Sequence, residues 1–282
     1  MSADDKYPTE SGRRRFVKGV VGSATLASVG TGAAATIGTA TSSTGAGGGI
    51  TQYVGIENTD GPAPRGMPII PLEIDSEGFL KGIWPDVEEV TEGGRTIQVA
   101  KMELGGETYS SQWFQYCGVQ TYPGIRPGAD QDNFFRVASG AGNTYAWMQD
   151  LEAGEKLHLD MFSNYEEWGN GIGKAGIGKP AMASWRSVDV EPQSTIPVQV
   201  VRSTRIEQLA QEDEFINAAT AEGCIAWLDK CTHFCCVPGF KAYQDSAKFG
   251  AANEVYCQCH QSVYDPFSPV RKSFVALPRP EE

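Results

Sequence analysis

Apolar residues in this chain fall in short or alternating runs, and sustained helical spacing is scarce. Thr96-Ile97-Gln98-Val99-Ala100, Thr144-Tyr145-Ala146-Trp147 and Lys156-Leu157-His158-Leu159-Asp160 alternate as half-buried strands do. Pro197-Val198-Gln199-Val200-Val201 and Gly223-Cys224-Ile225-Ala226-Trp227-Leu228 predict two more strands. Asp60-Gly61 and Pro127-Gly128 mark turns. Arg205 to Ala219 has a weak helical pattern and predicts a short surface helix. Tyr264-Asp265-Pro266-Phe267-Ser268-Pro269-Val270 predicts a turn. The expected class is mainly β.

The N-terminal pattern differs. Met1 to Gly12 is polar and predicts a cytoplasmic leader. Arg13-Arg14-Arg15-Phe16-Val17-Lys18 resembles the twin-arginine export signal, which carries folded proteins. Gly19 to Ala40 holds no charge and is long enough to span a bilayer, with weak hydrophobicity. Positive charge precedes it, so the N-terminus stays inside and the rest is exported. Ala33-Ala34-Ala35 offers a cleavage site, but a retained single-pass anchor is favoured. Thr41 to Gly49 has linker composition. The expected organisation is a leader (1–18), an anchor helix (19–40), a hinge (41–50), a β-rich base (51–199) and a C-terminal domain (200–282).

Composition narrows the function. The 282 residues suffice for one or two domains with real cores. A net charge of −12 argues against nucleic-acid binding. The acidic balance fits high salt and a halophilic archaeal source, or an acidic mesophilic protein. Gly171-Ile172-Gly173-Lys174-Ala175-Gly176 matches a dinucleotide fingerprint, but no strand pattern precedes it and Pro180 follows too soon. A phosphate loop is also excluded, since Pro180 stands where Ser or Thr must hold magnesium. A mobile glycine loop and no nucleotide are expected. His158 is expected on a surface strand, and Cys117 and Cys224 as buried thiols.

Five of the seven cysteines and two of the three histidines fall in two boxes, Cys231-Thr232-His233-Phe234-Cys235-Cys236 and Cys257-Gln258-Cys259-His260-Gln261-Ser262. Cys-x-His and Cys-x-x-His together give two thiolates and two imidazoles. That set suits zinc, or a [2Fe–2S] cluster with two His ligands on one iron. A four-ligand zinc site leaves Cys236 and Cys259 without a role.

The boxes resemble C-T-H-x-G-C and C-x-C-H-G-S of the Rieske proteins of cytochrome bc complexes. The resemblance implies one [2Fe–2S] cluster per chain. Cys231 and Cys257 would bind one iron, His233 and His260 the other, and Cys236 and Cys259 would form a disulfide. It also implies an antiparallel Rieske-type domain with a small cluster-binding subdomain. Ser262 and Tyr264 match the hydroxyls that raise the potential in the high-potential branch, and their presence disfavours an oxygenase component. There are departures. Cys235 and Gln261 stand where the family has Gly, leaving an extra thiol beside the disulfide. The gap between the boxes is long, suggesting an insertion around Tyr243 to Asn253. The family's Gly-Pro-Ala-Pro-like covering loop and closing strands follow the second box. Here Phe274-Val275-Ala276-Leu277-Pro278 stands instead, so the sheet must take strands from the middle region.

The function implied is the iron–sulfur subunit of a quinol-oxidising membrane complex. Its partners would be a cytochrome b subunit, quinol (menaquinol being the expected form) and an extracytoplasmic cytochrome or small copper protein as acceptor. His233 or His260 would contact the quinol. The alternative is the Rieske subunit of an exported molybdenum oxidoreductase, linked to arsenite oxidase or nitrate reductase. A zinc-binding surface protein is the hypothesis from a different class.

Overall fold

The computed structural model describes residues 49–92, 95–115 and 121–276. The expected twin-arginine signal with Arg13 and Arg14, the expected anchor segment, the expected hinge up to residue 48, and Cys117 lie outside the described residues. Among the described residues no helix is long and apolar enough to cross a membrane.

The described residues are mainly β, and all the sheets among them are antiparallel. In order the strands are β1 (Gly49–Asp60), β2 (Met67–Ile70), β3 (Leu72–Ile74), β4 (Leu80–Gly82), β5 (Val87–Glu92), β6 (Arg95–Leu104) and β7 (Glu107–Ser110). There follow β8 (Arg136–Val137), β9 (Lys179–Trp185), β10 (Ile196–Arg202), β11 (Cys224–Leu228), β12 (Gly239–Phe240), β13 (Val255–Cys257) and β14 (Ser262–Ala276). A nine-stranded sheet runs β12-β13-β14-β1-β2-β11-β10-β9-β8, and two smaller sheets pair β3 with β4 and β5 with β6 and β7. The middle region thus supplies strands to the main sheet, as expected. Residue 199, the expected domain boundary, lies inside β10.

Burial explains the strand sequences. β10 lies between β9 and β11, and Val198, Gln199, Val200 and Val201 are all buried, so it needs no polar face. The other end of the sheet is a long ribbon. β1 pairs with β14 from Gly49 opposite Ala276 to Asp60 opposite Val263. The turn expected over 264–270 is instead part of β14. The prolines cause a local irregularity: Ile56 faces Pro269 and its neighbour Glu57 faces Asp265, so 266–268 bulge out of register.

Two further expectations change. Thr144–Trp147 is not a strand. It spans the end of a short helix α1 (Ala141–Thr144) and a 3-10 turn (Ala146–Met148), with buried Tyr145 and Met148 at helical spacing. Lys156–Asp160 makes only isolated bridges, Arg136 with Lys156 and Phe79 with His158, before a 3-10 turn over Leu159–Phe162. The Arg205–Ala219 pattern resolves into helices α2 (Thr204–Glu212) and α3 (Glu214–Ala219). Ser203 caps α2, and Asp213 caps α3 through the Ile216 N–H at 3.0 Å.

One contiguous core joins the middle region to the Cys/His boxes. Gln199, wholly buried, accepts from the Phe240 N–H at 3.0 Å, and the Tyr145 hydroxyl donates to the Phe240 carbonyl at 2.7 Å. These bonds fix β12, the strand after the first box, to the base. Tyr145→Phe leaves that carbonyl unsatisfied in the core. Chemical denaturation should show a loss of about 1–3 kcal/mol.

Candidate metal centre

β11 delivers the chain to the first box. β13 and β14 flank the second, and the pairing of β12 with β13 brings the two boxes to one end of the sheet. The box loops are built alike. The Cys235 N–H donates to the Cys231 carbonyl at 3.0 Å, and the Gln261 N–H donates to the Cys257 carbonyl at 2.9 Å. The closing residues are left-handed, with φ of 62° at Cys235 and 63° at Gln261. Glycine is the easiest residue at such a position, and this chain uses others.

The buried Cys231 and Cys257 thiols are hydrogen-bonded side by side. The Tyr264 hydroxyl donates to Cys231 Sγ at 3.1 Å and accepts from the Thr232 N–H at 3.2 Å. Cys231 is lowered to about 5, chiefly by its bond from Cys257, with help from Tyr264, the His233 N–H and Ser262 against the opposing effect of burial. Cys257 is pushed up, first by that same bond and then by burial. Tyr264 is also pushed up, first by burial and then by its bond to Cys231.

The His233 and His260 rings pack against each other, with centroids 4.7 Å apart and planes at 84°. His233 is partly buried, and its Nδ1 is a buried polar atom without a hydrogen-bond partner. Such an atom costs stability unless something outside the protein bonds it. His260 is exposed. Phe234, 66% exposed, packs against both rings at 4.5 and 5.2 Å.

Cys236 and Cys259 form a disulfide between the loops, with Cα atoms 6.6 Å apart. The sulfurs of Cys236, Cys257 and Cys259 lie within 4.8 Å of one another, but two of them are spent in that bond. Cys231 and Cys257 stand outside any disulfide, and with His233 and His260 they make up the candidate donor set. The expectation of an extra thiol at Cys235 is corrected: Cys235 is disulfide-bonded. Cys224 is a buried thiol pushed up to about 12 by burial.

The sequence reading missed one contributor. The connection between β1 and β2, Gly61-Pro62-Ala63-Pro64-Arg65-Gly66, lies against both boxes. The Ala63 N–H donates to Ser262 Oγ at 3.2 Å, and Thr232 Oγ1 donates to the Arg65 carbonyl at 2.6 Å. Gly61 has φ +83°, and a Cβ there would sit 2.6 Å from the Gln261 carbonyl oxygen. A connection that begins Gly-Pro-Ala-Pro therefore does contact both boxes, but it arrives from the first strand. The string was visible in the sequence; its place before the boxes hid it.

The other motifs serve structure. His158 accepts from the Asp160 N–H at 3.2 Å and contacts the Glu77 carbonyl at 2.7 Å. The glycine loop, expected to be mobile, is pinned to the segment between the boxes. The Lys174 N–H donates to Asn253 Oδ1 at 2.7 Å, Asn170 to the Lys241 carbonyl at 2.7 Å, and Lys241 Nζ to the Lys174 carbonyl. The expected insertion holds a 3-10 turn over Gln244–Phe249.

Comparison with protein-family models, curated proteins and solved structures finds no match to this chain.

Proposed function

We propose that this chain is a Rieske-type iron–sulfur subunit that takes electrons from quinol and passes them to an extracytoplasmic acceptor. The observation that carries the proposal is the donor set: two hydrogen-bonded thiols from the two boxes, and two apposed imidazoles from the same boxes, one with an orphaned buried Nδ1. Cys231 and Cys257 would hold one iron, and His233 and His260 the other. The bound cluster supplies one-electron transfer.

The chain's own groups do the rest. The Tyr264 hydroxyl, 3.1 Å from Cys231 Sγ, and the Ser262 hydroxyl stabilise added negative charge on that sulfur, which favours a high potential. The Cys236–Cys259 disulfide and the 61–66 segment hold the loops together and restrict water. A histidine bound through one ring nitrogen has the other free to hold a proton, and exposed His260 offers it to a quinol hydroxyl. Phe234 gives an apolar face beside it for an aromatic ring. The covering segment supports the family likeness despite its unusual position, because Gly49 and Ala276 are paired neighbours. Joining those ends would restore the order in which the covering loop follows the second box.

Cytochrome b, the acceptor and a retained membrane anchor follow from this proposal. The direct check is anaerobic loading of the chain with ferrous iron and sulfide, followed by iron and sulfide analysis. Two irons and two sulfides per chain, with a visible charge-transfer spectrum, are expected. A colourless chain that takes up only zinc contradicts the proposal.

A further inference from the structure

Left-handed backbone is easy for glycine, tolerated by Asn and Asp, and costly for most other residues. Among the described residues, Arg186, Asp189, Glu222, Cys235, Lys241 and Gln261 adopt it without being glycine. For most of these the chain itself supplies a reason. Arg186 donates to the carbonyls of Gly124 and Ala129, Cys235 is disulfide-bonded, and Lys241 reaches the Lys174 carbonyl. Asp189 is a tolerant type. Glu222 stands in the tight turn closed between Ala221 and Cys224, whose geometry calls for positive φ.

Gln261 likewise closes a tight loop, but it stands directly beside the candidate ligand His260. Its N–H closes the second box loop and its carbonyl oxygen lies against Gly61, and glycine would do both without strain. Its side chain is exposed and makes no hydrogen bond among the described residues, and it follows directly on His260. An exposed carboxamide at that place, on left-handed backbone, is available to a group outside the chain.

The geometry points to Gln261 as a specificity-determining residue for the quinol: its carboxamide hydrogen-bonds the ring oxygen that His260 contacts. This rests on the quinol-oxidising function proposed above. The carboxamide can donate to a quinone carbonyl or accept from a quinol hydroxyl, so it serves both redox states of the ring. It gives the exposed tip a second polar anchor beside the imidazole, with Phe234 as the apolar wall.

The test compares the parent chain with Gln261→Gly and Gln261→Asn, each in its membranes, with the purified chains used for thermal unfolding. Gln261→Gly should raise Tm by roughly a few degrees through relief of the backbone. It should also raise KM for quinol about tenfold, the loss of one hydrogen bond, with a smaller change in kcat. The change in the cluster's EPR spectrum on adding quinone should weaken in the same variant. Gln261→Asn keeps a carboxamide and suits left-handed backbone, so it should retain the gain in Tm and recover part of the KM. The inference is overturned if Gln261→Gly leaves KM and the EPR response to quinone at parent values. A parent chain that carries the cluster but ignores quinol overturns the proposed function, and this inference with it.

Discussion

His233→Ala is expected to abolish iron–sulfur binding and to leave the fold intact. The prediction follows from the orphaned Nδ1, which is buried without a partner and contributes no hydrogen bond to the protein. Removing the ring takes away one of the four proposed ligands and one uncompensated polar atom. Lost packing against Phe234 and His260 partly offsets that relief. Denaturation of the metal-free chain should therefore differ from the parent by no more than about 1 kcal/mol. Iron per chain after reconstitution should fall to background. A large loss of stability in the metal-free variant would mean that His233 is a structural residue. Full iron retention would remove it from the ligand set.

Replacing both Cys236 and Cys259 with alanine should produce the largest loss of stability. The bond joins residues 23 apart in sequence, and the chain-entropy relation for a loop of that size gives about 3 kcal/mol. The loss should have a local signature too. The Cys257 and Cys231 thiols depend on the two loops staying in register, so hydrogen exchange should rise first over 231–236 and 257–262. Reducing the parent with a thiol reagent need not reproduce this state, because Cys235 is disulfide-bonded as well. The double variant, measured by denaturation, is the cleaner comparison. Unchanged stability would show that the covering segment and the Tyr264 hydrogen bonds alone hold the loops.

The site was far more legible in the sequence than the topology around it. Cys231, His233, Cys257 and His260 were visible because short spacing forces neighbouring donors into one loop, whatever the rest of the fold does. The Cys236–Cys259 pairing came from family likeness, and the structure contains that bond. Long-range pairing was hidden. The 264–270 segment looked like a turn because two prolines sit in it, and only the partner strand β1 shows that a bulge absorbs them. Thr144–Trp147 alternates like a strand, yet its buried positions, Tyr145 and Met148, follow a helical turn. The Gly61-Pro62-Ala63-Pro64 segment went unrecognised because it precedes the boxes in the chain, and sequence order does not reveal that β1 lies beside β14. The glycine loop looked free because its partners, Lys241 and Asn253, are distant in sequence.

The most direct test of the central claim is an EPR-monitored redox titration of membranes holding the full chain, with histidine nitrogen labelled. The account predicts a [2Fe–2S] signal on reduction, coupled to two nitrogens. Its midpoint should lie toward the upper part of the range of about −150 to +300 mV known for such centres, and should shift when quinone occupies the site. A chain with no iron signal and bound zinc, or a signal without nitrogen coupling that ignores quinone, would contradict it.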